Sequence, residues 1–79
     1  MAAFVKIVSK FEDREEEFVA TWHSPWTVDR VRKIYLRLHE SSGILCKDGT
    51  LIRERVKHYM FSSEPVTDYI TFHDHDPRS

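Results

Sequence analysis

Few side chains in this 79-residue chain could carry out catalysis. The single cysteine, Cys46, follows two apolar residues, which indicates a small buried hydrophobe rather than a reactive thiol in an electropositive setting. Histidine and aspartate alternate over residues 73–76, but at the end of the chain and without a further ligand type nearby. The two glycines, Gly43 and Gly49, are too far apart for a phosphate-binding loop. We therefore predict no enzymatic activity, no cofactor and no metal site.

Basic side chains cluster between residues 30 and 37 and could contact phosphate groups. The cluster consists of Arg30, Arg32, Lys33 and Arg37. The whole chain has 12 basic and 13 acidic residues and a net charge of −1, so no bulk positive field attracts nucleic acid. A solvated helix face is the favoured interpretation, and nucleic-acid binding through this cluster is a disfavoured alternative.

Length and composition predict one small domain over residues 1–79. Hydrophobic residues make up 41% of the chain and charged residues 32%, as in an ordinary globular protein. A lone cysteine excludes an internal disulfide and favours a cytoplasmic or nuclear location. No apolar run approaches the roughly 20 residues that span a bilayer, so we expect no membrane association.

The stretch that organises the chain is predicted to be an amphipathic helix over residues 27–42. Thr27 is a suitable N-cap, and Asp29 in the first turn complements the positive end of the helix dipole. Gly43 follows as a stop signal. Apolar residues recur at steps of three and four and predict a buried stripe of Val28, Val31, Ile34, Tyr35 and Leu38.

Runs of β-branched and aromatic residues predict strands on both sides of this helix. They cover residues 3–11, 17–23, 44–46, 50–52 and 66–72. The acidic run at 12–17 is interpreted as a solvated hairpin tip, and residues 53–61 as a short helical turn or a loop. Residues 73–79 are predicted to be a flexible tail. The expected fold is α+β, with one helix packed on a small mixed sheet whose first and last strands pair in the centre.

This order of elements resembles the ubiquitin-like (β-grasp) superfamily. Residues 4–6 resemble its first strand, Thr27-Val28 with Val31 its helix start, and 44–52 its strand, glycine turn and short strand. Gly43-Ile44 and residues 56–61 are also similar to family segments. The resemblance covers about residues 3–72 and implies a ββαββ(turn)β fold.

The resemblance implies a non-conjugated ubiquitin-like domain. The chain ends in Asp76-Pro77-Arg78-Ser79, where conjugated modifiers of the family carry a diglycine. Such domains act as adaptors, and family members bind protein partners through an apolar patch ringed by basic groups on the sheet face away from the helix. Carried over to this chain, that partner-binding face comprises Phe4, Lys6, Val8, Leu45, Thr71 and His73.

A self-associating domain is the main alternative that the resemblance suggests. The β-grasp relatives that residues 44–52 resemble include CIDE-type, PB1-type and doublecortin-type domains. Several of these assemble head to tail through oppositely charged faces. The corresponding charged contacts here would be Arg30, Lys33 and Arg37 against Glu12, Glu15 and Glu16.

Overall fold

The computed structural model describes residues 2–38 and 43–78. Within them the chain forms one helix and five strands in the order ββαβββ. Their bounds are β1 Ala2–Lys10, β2 Glu15–His23, α1 Val28–Leu38, β3 Gly43–Leu45, β4 Leu51–His58 and β5 Ser63–His73. The α+β class predicted from the sequence is confirmed for this part of the chain.

The five strands form one sheet in the order β2-β1-β5-β4-β3. The predicted central pairing of the first and last strands is confirmed, but the predicted mixed sheet is wrong, because every described pair, including β1 with β5, is antiparallel. The error arises at residues 53–61, whose sequence predicts a helical turn or a loop. Residues 53–58 instead extend β4, and the hairpin that follows makes β5 run antiparallel to β4 and to β1. At the other edge, β3 covers only Leu51–Arg53 of β4.

The helix begins as its sequence predicts. The backbone N–H of Arg30 donates to the Thr27 hydroxyl over 3.3 Å, which satisfies one of the unpaired donors of the first turn. Asp29 lies in that turn and accepts a hydrogen bond from Arg32 over 3.1 Å. The predicted continuation over residues 39–42 lies outside the described residues.

The buried stripe of α1 differs in part from the predicted one. Val31 is fully buried, and Val28 and Tyr35 pack against the core as predicted. Leu36 also packs there, whereas Ile34 lines a groove on the outer side of the helix. A helix has 3.6 residues per turn, so positions 28, 31 and 35 share a stripe that leaves 34 near its border.

The core lies between α1 and one end of the sheet. Its buried residues come from three strands and the helix: Ala3, Val5, Leu51, Ile70 and Val31. Trp22 and Trp26 extend this core, with ring centroids 5.2 Å apart in an edge-to-face arrangement. Trp26 directly precedes the N-cap and packs against the cluster that contains Val31, four residues after that cap, as in a hydrophobic staple.

The strands extend well beyond the helix. Eleven helical residues span about 16 Å, whereas the eleven residues of β5 span about 36 Å. Past the helix, the same sheet face carries a polar cluster centred on Asp68, which is fully buried. Asp68 accepts hydrogen bonds from Ser9 over 2.6 Å, Arg53 over 2.8 Å and Arg55 over 2.6 Å. The carboxylate therefore joins β1, β4 and β5 outside the apolar cluster that the described residues form.

The charge of Asp68 is stabilised by these donors. Burial alone raises the pKa of a carboxyl group, but the hydrogen bonds from Arg55, Ser9 and Arg53 outweigh burial and lower the pKa of Asp68 to about 2. Because the ordinary value is 3.8, the shift corresponds to about 2 kcal/mol of folding free energy at neutral pH.

We expect Asp68→Asn to lower the free energy of unfolding by about 2 kcal/mol at pH 7, measured by denaturant titration. A lowered folded-state pKa gives stability that is present above the unfolded pKa and lost as the pH falls through about 2. The difference between variant and wild type should therefore shrink from pH 4 downwards. The control Asp13→Asn alters an exposed pair with Arg14 and should change little. A pH-independent difference would contradict this assignment.

Candidate functional site

The sheet face opposite α1 is open in residues 2–38 and 43–78, because the one helix found there packs on the other side. Side chains alternate along a strand, so the residues that flank the buried Ala3, Val5 and Ile70 point to the open side. The antiparallel register then pairs residues of β1 with residues of β5 across the centre of that face. The pairs are Phe4 with His73, Lys6 with Thr71, and Val8 with Tyr69.

Five of the six predicted partner-binding residues therefore meet on one surface. We call this the open face and define it by Phe4, Lys6, Val8, Tyr69, Thr71 and His73. All six are half-buried by their strand neighbours, although no described element lies over them. Lys6 and Thr71 form the middle pair of the open face, and the apolar groups of Phe4, Val8 and Tyr69 flank that pair.

Lys6, on the open face, and Lys10, next to it, both contact neighbouring side chains. Lys6 forms an ion pair with Glu17 over 3.2 Å, and the Lys10 ammonium lies 5.0 Å from the centroid of the Tyr69 ring. Thr71 Oγ1 and His73 Nε2 are hydrogen-bonded at 2.7 Å. These contacts fix the positions of polar groups around Phe4 and Val8.

The predicted place of Leu45 on this face is wrong. Leu45 pairs with the buried Leu51, and directly opposed residues of an antiparallel pair point to the same side. Leu45 therefore lies on the helix side of the sheet edge, while Ile44 points to the open side and is 65% exposed. Cys46, predicted to be buried on the strand, follows β3 and is half-buried, with its backbone in the turn that closes at Thr50.

The ring of His73 is in a setting that disfavours its charged form. Burial of the ring lowers its pKa, and repulsion from His75 and Lys6 acts in the same direction. The prediction that residue 73 begins a flexible tail is wrong, because His73 is the last residue of β5 and pairs with Phe4.

A second surface lies on the outer side of α1. Three predicted basic residues, Arg30, Lys33 and Arg37, line a shallow groove of about 400 Å³ together with Trp26 and Ile34. The Arg30 guanidinium lies 5.0 Å from the centroid of the Trp26 ring. Arg32 lies apart from this groove, since its guanidinium contacts Asp29 and the Phe72 ring. We call this surface the basic groove.

The acidic residues predicted for head-to-tail assembly lie at the opposite end of β2 from the helix. Glu12 is in the β1–β2 turn, and Glu15 and Glu16 begin β2. Arg14 donates to Glu16 over 3.1 Å, so part of this negative charge is already neutralised within the chain. The self-association of the charged surfaces stays a prediction, and the internal pairing of Glu16 weakens it.

Sequence reasoning missed three features. Asp68 lies among the alternating Val66 and Ile70 of β5, and a charged residue at a core position of a strand was the available signal. Tyr69 shares the open side with Thr71 and His73 because side chains alternate along β5, and the antiparallel register places it opposite Val8. The third feature is the projecting part of the β4–β5 hairpin, residues 55–66, which we call the arm.

The comparisons with known proteins leave the family open. No family model, no curated protein and no solved structure matches the chain. Among the described residues, no helix is long and apolar enough to cross a membrane, and no group of histidine, cysteine, aspartate or glutamate side chains could hold a metal ion. The residues at 73–76 thus form no described metal site.

We expect the C2 proton of His73 to titrate with a midpoint below 6.5 by NMR, because burial and neighbouring cations disfavour the imidazolium. Between that midpoint and 6.5 the folded state binds fewer protons than the unfolded state, so this group lowers stability as the pH falls. Lys6→Met should move the midpoint towards 6.5, whereas the control Lys47→Met, in the distant 46–50 turn, should not. A midpoint above 6.5 would contradict the described setting of His73.

Proposed function

We propose that this chain is a non-catalytic protein-interaction module, an adaptor of the ubiquitin-like kind, that docks a partner protein on its open face. The observation that carries the proposal is the convergence of Phe4, Val8 and Tyr69 beside Lys6 on a sheet side that no described element covers. Apolar groups that converge on one uncovered surface are typical of protein interaction sites.

The chemistry of the open face favours a partner with both apolar and acidic groups. The apolar side chains that flank the central Lys6–Thr71 pair supply the area that leaves water on docking. Lys6 and Lys10 lie beside them and would select a partner with carboxylates at the rim, since complementary charges set orientation and suppress wrong partners. The two central strands, β1 and β5, are hydrogen-bonded to neighbours on both sides, so little backbone entropy is lost when a partner binds.

The test is a binding measurement with Phe4→Thr/Val8→Thr. Threonine is β-branched, which strands favour, and the two changes remove the Phe4 ring and replace one methyl group of Val8 by a hydroxyl. A partner is first captured with the wild-type chain, identified and purified, and its affinity is then measured by calorimetry. We expect the double variant to weaken binding by about tenfold or more while the free energy of unfolding falls by about 1 kcal/mol.

The matched control is Val56→Thr, which makes the same change on the same sheet side but on β4. Val56 is 52% exposed and lies outside the open face as defined. It should leave the affinity unchanged. Equal affinities for the wild type and the Phe4→Thr/Val8→Thr variant would reject the open face as the docking surface.

The basic groove supports a second candidate function, binding of single-stranded nucleic acid. It places three cations along one helix face and an indole ring at its start, without an acidic residue in its lining. Phosphates pair with such cations and bases stack on such rings. The net charge of −1 makes this candidate weaker than protein docking.

For this candidate we expect a fluorescein-labelled thymidine decamer to bind weakly at low salt, measured by fluorescence anisotropy. With three phosphate contacts, the logarithm of the binding constant should fall with that of salt concentration with a slope of about −2. Arg30→Glu/Lys33→Glu should abolish the signal, and the control Lys6→Glu, on the other side of the sheet, should not. No binding at low salt would eliminate the candidate.

A further inference from the structure

The end of the arm exposes two large apolar side chains. Met60 is 88% exposed and Phe61 is 94% exposed, at the turn between β4 and β5. We call these two residues the tip. The register explains this position: Lys10, the last residue of β1, pairs with Thr67, so β4 and β5 continue for several residues without a neighbour from β1. The tip therefore projects away from the core and contributes no burial to it.

The base of the tip is held in place by directional contacts. The backbone N–H of Tyr59 donates to the carbonyl of Ser62 over 2.7 Å and closes the turn. The Tyr59 hydroxyl donates to Glu64 over 2.6 Å, and Arg14 donates to the same carboxylate over 3.1 Å. These bonds lower the pKa of Glu64, first through Tyr59 and then through Arg14. The turn that presents the tip is thereby tied to the β1–β2 hairpin.

Aromatic and cationic groups complete this support. The Arg14 guanidinium lies 3.9 Å from the centroid of the Phe11 ring, and the Lys57 ammonium lies 5.6 Å from that of Tyr59. The rings of Tyr59 and Phe11 thus take part in the contacts that hold the turn, whereas the side chains of the two tip residues are exposed. Because these contacts hold the turn, binding through Met60 and Phe61 does not require the backbone that presents them to become ordered, which favours the two residues as interface anchors.

The charges around the tip indicate what kind of surface it fits. Carboxylates in the β1–β2 turn, at the start of β2 and at the base of the arm outnumber the cations beside them. The carboxylates belong to Glu12, Asp13, Glu15, Glu16 and Glu64, and the cations to Arg14, Arg55 and Lys57, of which Arg55 is bound to the buried Asp68. An anionic lipid surface would be repelled by this excess. A protein pocket with an apolar floor and a basic rim would be complementary to it.

We propose that the tip is a docking anchor, in which Phe61 and Met60 insert into an apolar pocket with a basic rim on a partner protein. This anchor is separate from the open face and does not depend on it. Phe61 supplies the ring that fills the pocket, Met60 covers its edge, and the surrounding carboxylates orient the approach.

The experiment combines site-specific crosslinking with a binding measurement. Benzoylphenylalanine is placed at position 61, and at the exposed position 47 as the matched control site. A protein crosslinked from 61 and not from 47 is identified, purified and titrated by calorimetry against the wild type, Phe61→Ser and Phe61→Leu. We expect Phe61→Ser to weaken binding about 30-fold or more, and Phe61→Leu to retain most of the affinity. The affinity of the wild type should also fall as salt screens the carboxylates.

Three further measurements determine the stability of the variant, the binding of lipid vesicles and the oligomeric state. Thermal unfolding of Phe61→Ser should match the wild type, because the side chain is exposed. Flotation with phosphatidylcholine vesicles, with and without phosphatidylserine, should show no binding, and sedimentation should show a monomer. Tip-dependent vesicle binding or dimerisation would overturn the proposal, as would the absence of a crosslink specific to position 61 or an unchanged affinity for Phe61→Ser. If Phe4→Thr/Val8→Thr alone weakens the purified complex, the open face stands and the tip proposal falls.

Discussion

A buried carboxylate, that of Asp68, stabilises the part of the central strands that extends past the end of α1. Asp68 joins three strands through Ser9, Arg53 and Arg55 at a level of the sheet where α1 no longer supplies apolar cover. An uncompensated charge at this depth would be strongly destabilising, so the four groups depend on one another. The apolar core under Val31 and the polar cluster therefore hold different ends of the same strands, and the arm extends from the polar end.

This division of the sheet separates the surfaces that are free to act. The open face lies behind the apolar core, where the central strands are paired on both sides and α1 packs on the opposite face. The tip lies beyond the polar cluster, on the end parts of β4 and β5 that pair with each other and, among the described residues, with no further strand. The basic groove is on the far side of the helix. Three chemically different surfaces thus occupy separate regions of one small chain, which suits a module that contacts partners rather than one that encloses a substrate.

Local patterns predicted the elements better than their arrangement. The N-cap at Thr27, the hairpin of β1 and β2 and the turn at Gly49 follow from short-range chemistry, and the structure contains them. The direction of β5 could not be read from its own residues, because it depends on whether 53–61 turn back or continue as a strand. Residues 53–59 are mostly charged or polar, and their two apolar or aromatic members, Val56 and Tyr59, are three positions apart. This stretch therefore lacks the apolar alternation that identifies a half-buried strand. The side of the sheet on which Leu45 lies could not be predicted for a similar reason, because a three-residue strand has too few residues to show which side is apolar.

The short β3 has a consequence for how copies of this chain meet in concentrated solution. Beyond Arg53, the outer N–H and C=O groups of β4 have no strand beside them among the described residues, which is the condition for adding a foreign strand. The sequence along that margin is Glu-Arg-Val-Lys-His, in which charges interrupt any stretch that could stack into a fibre. Along this margin, which no strand covers in the part of the chain that the structure describes, polymerisation is therefore restrained by side-chain charge rather than by coverage of the backbone.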